Sequence, residues 1–125
     1  MITKSEHASN ILPWLELAKE IGCKVKYIPL NNDLEVTMDN VKQSITNNTK
    51  VISLAHITNV IGDVRPLKEI ANYIHDKNIL LVVDAAQSIG HMKVDVQDLG
   101  IDFMAFSAHK MCGPTGIGIL YGKYD

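Results

Sequence analysis

Ile79-Leu80-Leu81-Val82-Val83-Asp84, running on into Ala85-Ala86-Gln87, decides the fold. An unbroken aliphatic run closed by a carboxylate reads as a strand buried on both faces. Such strands belong to parallel sheets, whose carboxyl ends open onto the place where ligands gather. Asp102-Phe-Met-Ala-Phe106 is a second apolar run, and it enters Ser107-Ala108-His109-Lys110. Val51 to Ala55 is another, ending at His56, and Ile117 to Tyr121 follows the loop Gly113-Pro-Thr-Gly-Ile-Gly118.

Between these runs the period changes. Ile11, Trp14, Leu15, Ala18 and Ile21 recur at helical spacing, and Gly22 stops the pattern as a C-terminal glycine does. Lys24 to Ile28 alternates polar and apolar, which predicts a half-exposed strand, and Pro29 to Asp33 is a turn. Thr37 caps a short helix carrying Met38, Val41 and Ile45 inward. Pro66 suits the first turn of a third helix, with Leu67, Ile70, Ala71 and Ile74 on one face, and Asp76-Lys77-Asn78 ends it. Strands alternating with helices predict an α/β fold: a mainly parallel sheet with helices on both faces. Residues 1–125 read as one domain, without repeat or linker.

The chain has 125 residues, 46% hydrophobic and 21% charged, with a net charge of −2. Its twelve Lys and Arg form no dense cluster, so nucleic-acid binding has little electrostatic support. No apolar run is long enough to span a bilayer, and no basic segment followed by an apolar one opens the chain. The expectation is a cytoplasmic protein without a membrane partner. Cys23 and Cys112 form no Cys-x-x-Cys, so neither a disulfide framework nor a metal site is expected. Cys23, after Gly22, reads as a small semi-buried hydrophobe, and Cys112 sits in a glycine loop two residues past Lys110.

Lys110 is an odd residue to find at the end of a core strand, because burial disfavours the charged amine. Asp84 ends its own run in the same way. A lysine that forms a Schiff base, a carboxylate beside a pyridine nitrogen, and donors for a phosphate and a phenolic oxygen are what pyridoxal phosphate needs from a protein. Lys110, Asp84 and the set Ser107, His109 and Gln87 supply those types. Each has a plainer reading: Lys110 as a surface lysine, Asp84 as a cap, and His7, His56 and His91 as structural histidines. The glycines at 113, 116 and 118 match neither a Rossmann fingerprint nor a P-loop, and also fit a tight turn.

Four segments in order carry a resemblance: Glu6-His7-Ala8-Ser9-Asn10-Ile-Leu-Pro-Trp14, His56-Ile-Thr-Asn59-Val-Ile-Gly62, Asp84-Ala-Ala-Gln87, and Ser107-Ala-His-Lys110 with its glycine loop. Over essentially its whole length the chain resembles the class V aminotransferase family, and within it the cysteine desulfurase and selenocysteine lyase group. The resemblance implies the large domain of a fold-type I pyridoxal-phosphate enzyme. It implies Lys110 as the Schiff-base lysine and Asp84 as partner of the pyridine nitrogen. Gln87 would bond the phenolic oxygen, and Ser107 and His109 the phosphate. His7 would stack on the ring and assist proton transfer, with Asn59 near the cofactor and the substrate carboxylate. Ala8 stands where many members carry a second histidine.

Members of the family are considerably longer, so the chain is expected to be the central piece of the cofactor domain. Segments upstream and downstream would complete the phosphate site and bring the sulfur-accepting cysteine and a carboxylate-binding arginine. The implied reaction converts L-cysteine or L-selenocysteine to L-alanine and passes sulfur through a persulfide to an acceptor protein for iron–sulfur cluster assembly. The full-length protein would be a homodimer, and the piece alone would not complete turnover. Two alternatives stay open: another class V enzyme, kynureninase-like or an epimerase, and a folded piece that binds no cofactor.

Overall fold

The computed structural model describes residues 1–124. Among them, four strands make one sheet in the order β1 (Val51–Ala55), β2 (Leu80–Asp84), β3 (Phe103–Ser107) and β4 (Gly118–Gly122). β1, β2 and β3 are mutually parallel, and β4 closes the edge antiparallel to β3. The helices are α1 (Leu12–Ile21), α2 (Met38–Ser44) and α3 (Leu67–His75), with α3 forming the crossover between β1 and β2. Their ends follow the local chemistry. Gly22 takes the left-handed conformation at φ 72°, and Thr37 Oγ1 accepts the Asn40 N–H at 3.2 Å.

Parallel register sets Ile52 beside Leu81, and Leu54 beside Val83, which in turn pairs with Met104. These side chains share one face and are buried, together with Leu67, Ile70, Ala71 and Ile74 from α3 and Val41 from α2. Burying each of the larger ones contributes about 1.5–3 kcal/mol. No helix among the described residues is long and apolar enough to cross a membrane.

The α/β class and the mainly parallel sheet stand as expected, but coverage of the two faces is unequal. On the second face Leu80 is 44% exposed, Phe103 37% and Leu120 71%. The N-terminal segment crosses that face at β1, where Ser53 Oγ–H donates to Asn10 Oδ1 at 2.6 Å. β2 is therefore buried on alternate residues, and β1 is the more enclosed strand. α1 buries none of its residues, although its apolar stripe predicted an inward face. The strand expected over residues 24–28 shrinks to a bridge between Ile2 and Tyr27, because Ile2 alone reaches it, through Lys26 O at 3.1 Å and the Ile28 N–H at 2.8 Å. Cys23 is exposed, not semi-buried, since the turn at Gly22 leaves it outside the core.

Candidate functional site

The three parallel strands deliver Ala55, Asp84 and Ser107 to one cleft of about 640 Å³ at their carboxyl ends. Ala55 pairs with Asp84 and Asp84 with Ala105, so the three lie side by side on the open face. Ser107, two residues on, returns to that face. Every residue expected at the site lines this cleft: His7, Asn59, Asp84, Gln87, Ser107, His109 and Lys110. Its volume lies in the range of sites for small organic ligands.

Asp84 Oδ1 accepts the Ala86 N–H at 2.9 Å, a turn that brings Gln87 back to the cleft. Beyond Ser107 the chain makes a single 3-10 turn over Ala108–Met111, which carries His109 and Lys110. Cys112 leaves it in the left-handed conformation at φ 63°, and the Gly113 N–H donates to Ala108 O at 2.9 Å. A Cβ on Gly113 would stand 2.8 Å from Ala108 Cβ, so only glycine lets the loop fold back this closely. The glycine loop therefore shapes the turn and returns Gly118 to the cleft wall.

His7 is extended (φ −64°, ψ 149°) and caps a 3-10 turn over Ala8–Asn10. Its Nδ1 accepts the Ser9 N–H at 3.2 Å and lies 2.9 Å from Ser9 Oγ. A backbone N–H only donates, so the neutral ring carries its proton on Nε2. Asn59 sits in a loop drawn together by Thr58 N–H to Asp63 O (3.1 Å), Asp63 N–H to Thr58 Oγ1 (3.0 Å) and Arg65 N–H to His56 O (2.9 Å).

Lys110 is exposed, and β3 is only partly buried. The amine is therefore not a buried one, as a lysine closing a core strand would lead one to expect; it lines the same cleft as Asp84. His56 and His91 lie outside the cleft wall. His56 is 3% exposed, and burial lowers its pKa from the ordinary histidine value. His91 Nδ1–H donates to Gln87 O at 2.6 Å. Cys23 and Cys112 are exposed and neither lines the cleft. Ser9 and Asn10 do line it and were given no role from sequence. The spacing of Glu6 and Asn10, one helical turn apart, was the available signal for that pair, and Asn10 Nδ2–H indeed donates to Glu6 Oε2 at 2.9 Å.

The aminotransferase class-V family model matches residues 1–125. The chain belongs to the class V aminotransferase family. Within that family it is 50% identical over 123 residues to a probable cysteine desulfurase of Halalkalibacterium halodurans, covering 98% of this chain and 30% of the relative. It is 43% identical over 125 residues to a cysteine desulfurase of Haloferax volcanii, covering 100% of this chain and 29% of the relative. The crystal structure of the cysteine desulfurase CsdA from Escherichia coli superposes with a TM-score of 0.93 at 40% identity, over 98% of this chain and 31% of that one. This class V chain thus spans about 30% of the length of the curated relatives it matches. None of these relatives is named as a kynureninase or an epimerase.

Proposed function

We propose that the full-length protein carrying this chain is a pyridoxal-phosphate-dependent cysteine desulfurase, and that residues 1–125 form a central part of its cofactor domain. The observation that carries the reading is the delivery of Asp84 and Lys110, from adjacent parallel strands, to one cleft with hydroxyl, imidazole and amide groups around it. A primary amine, a carboxylate and neutral donors in a cleft of this size fit the cofactor's aldehyde, ring nitrogen and oxygens. Named relatives at 43–50% identity support the choice of cysteine as substrate, with selenocysteine as its closest chemical analogue.

When bound, pyridoxal phosphate supplies an electron sink for bonds at the substrate α-carbon. Lys110 Nζ would hold the cofactor covalently, and its amine would serve as the base for protons at the substrate α-carbon. The Asp84 carboxylate holds a proton on the ring nitrogen by its charge. Gln87 orients the ring oxygen, and Ser107 Oγ and His109 bind phosphate. Asn59 reads the substrate carboxylate. His7, on the cleft wall, would hold the ring and carry a proton at Nε2. Sulfur leaves for a cysteine thiol of the enzyme, so that L-cysteine and R–SH become L-alanine and R–S–SH. Cys23 and Cys112 lie off the cleft wall, so that thiol belongs to another part of the full-length protein.

The persulfide would then serve an acceptor protein in iron–sulfur cluster assembly, with the enzyme a homodimer. A cytoplasmic location fits two exposed, unpaired cysteines. Alanine release from L-cysteine by the full-length protein tests the reading. It should proceed with pyridoxal phosphate bound and stop in Lys110→Ala; equal release by that variant contradicts the assignment.

A further inference from the structure

Glu6 is 6% exposed, and three donors converge on its carboxylate. Thr3 Oγ1–H reaches Oε1 at 2.7 Å, while Asn10 Nδ2–H at 2.9 Å and the Ala55 N–H at 2.6 Å share Oε2. The polar chain continues in both directions. Asn10 Oδ1 accepts from Ser53 Oγ at 2.6 Å. Thr3 Oγ1 lies 3.0 Å from Ser5 Oγ, which accepts from Arg65 Nη2 at 2.5 Å, and Arg65 Nη1 pairs with Asp63 at 2.6 Å. One buried network therefore joins β1, the turn bearing His7 and the loop bearing Asn59.

Glu6 does not line the cleft, but His7, Asn10 and Ala55 do. Two of those wall residues are bonded to the same oxygen, so a shift of this one carboxylate moves both together. A buried carboxylate is tolerated only when such donors replace water, and here two of the three, from Asn10 and Ala55, belong to residues that line the wall.

We propose that Glu6 is a positioning residue: it pins the His7 turn against the end of β1 and so sets where the His7 ring stands over the cleft, without touching a ligand. This rests on the cofactor-site reading above. The action is geometric. Glu6→Gln keeps an oxygen at the Oε2 position and turns its amide toward Thr3 Oγ1, which accepts as well as donates. Glu6→Ala removes all three bonds.

The test uses the full-length protein loaded with pyridoxal phosphate, reading the visible circular dichroism of the bound cofactor beside kcat and KM for L-cysteine. Wild type should show the absorption band of lysine-bound cofactor, and Lys110→Ala should lack it; a wild type without the band overturns the site reading and this proposal with it. Given the band, Glu6→Ala should retain it, change its circular dichroism by about half, and lower kcat about ten- to a hundredfold with KM within about threefold. Glu6→Gln should return both signals to within about threefold of wild type. Wild-type dichroism and kcat in Glu6→Ala overturn the proposal, as does a Glu6→Gln variant as impaired as Glu6→Ala. Should Glu6→Ala fail to fold, Thr3→Val removes one donor at nearly constant shape. A partial change in dichroism at full cofactor content then supports the proposal, and an unchanged spectrum overturns it.

Discussion

The His56 N–H donates to the Asp84 carbonyl at 2.9 Å, carrying the β1–β2 ladder one step past the Ala55–Asp84 pair. The aspartate whose side chain lines the cleft thus uses its backbone to hold the root of the loop that carries Asn59. The His56 ring is buried at the same point, with Nδ1 lacking a hydrogen-bond partner among the described residues.

Burial lowers the His56 pKa from 6.5. Below that value the unfolded state takes up a proton that the folded state refuses, so stability is full above it and is lost as the pH falls. The melting temperature of the full-length protein should drop as the pH falls below about 6.5, and less steeply in His56→Gln. Identical acid slopes in the two proteins would contradict this.

Asp84→Asn keeps an oxygen for the Ala86 N–H while removing the carboxylate charge proposed above to pair with the ring nitrogen. The full-length variant should lose about 10²–10³ in kcat with little change in melting temperature. Steady-state kinetics on L-cysteine read the result, and an unchanged kcat would remove Asp84 from the mechanism.

Arg65 is 2% exposed, and burial outweighs Asp63 and Glu6 in lowering the pKa of its guanidinium. Asp63→Ala leaves that cation without its ion-pair partner and should cost about 3–5 kcal/mol in chemical denaturation. Adding Arg65→Met should restore part of the loss, since the guanidinium left without its Asp63 partner is then gone.

How far the sequence reached depends on the range of the interaction. Strands β2, β3 and β4 and the ends of α1 and α2 were readable, because aliphatic runs, Gly22 and Thr37 act within a few residues. The seven cleft residues were readable because each follows a strand or sits in an ordered motif. Exposure of α1, of Leu80 and of Phe103 was not, since an apolar stripe records what a residue prefers and not which segment lies across from it. The 24–28 strand failed for a related reason: alternation was present, but its partner is the single residue Ile2. The Glu6–Arg65 network joins residues some sixty positions apart, as the Arg65–Ser5 bond shows, and no local pattern announces it.

The α3 stripe offers a stability test independent of the site. Ile70 is fully buried against the sheet, and Ile70→Ala should cost about 2–5 kcal/mol through lost transfer and the cavity left behind. Denaturant titration checks it; a loss well below that range would mean α3 does not seal this face.

The central claim is that Lys110 anchors pyridoxal phosphate in this cleft. Borohydride reduction of the cofactor-loaded full-length protein, followed by peptide mass mapping, tests it most directly. The account predicts a pyridoxyl adduct on the peptide containing Lys110, absent from Lys110→Ala. An adduct on another lysine, or none with saturating cofactor, would contradict it.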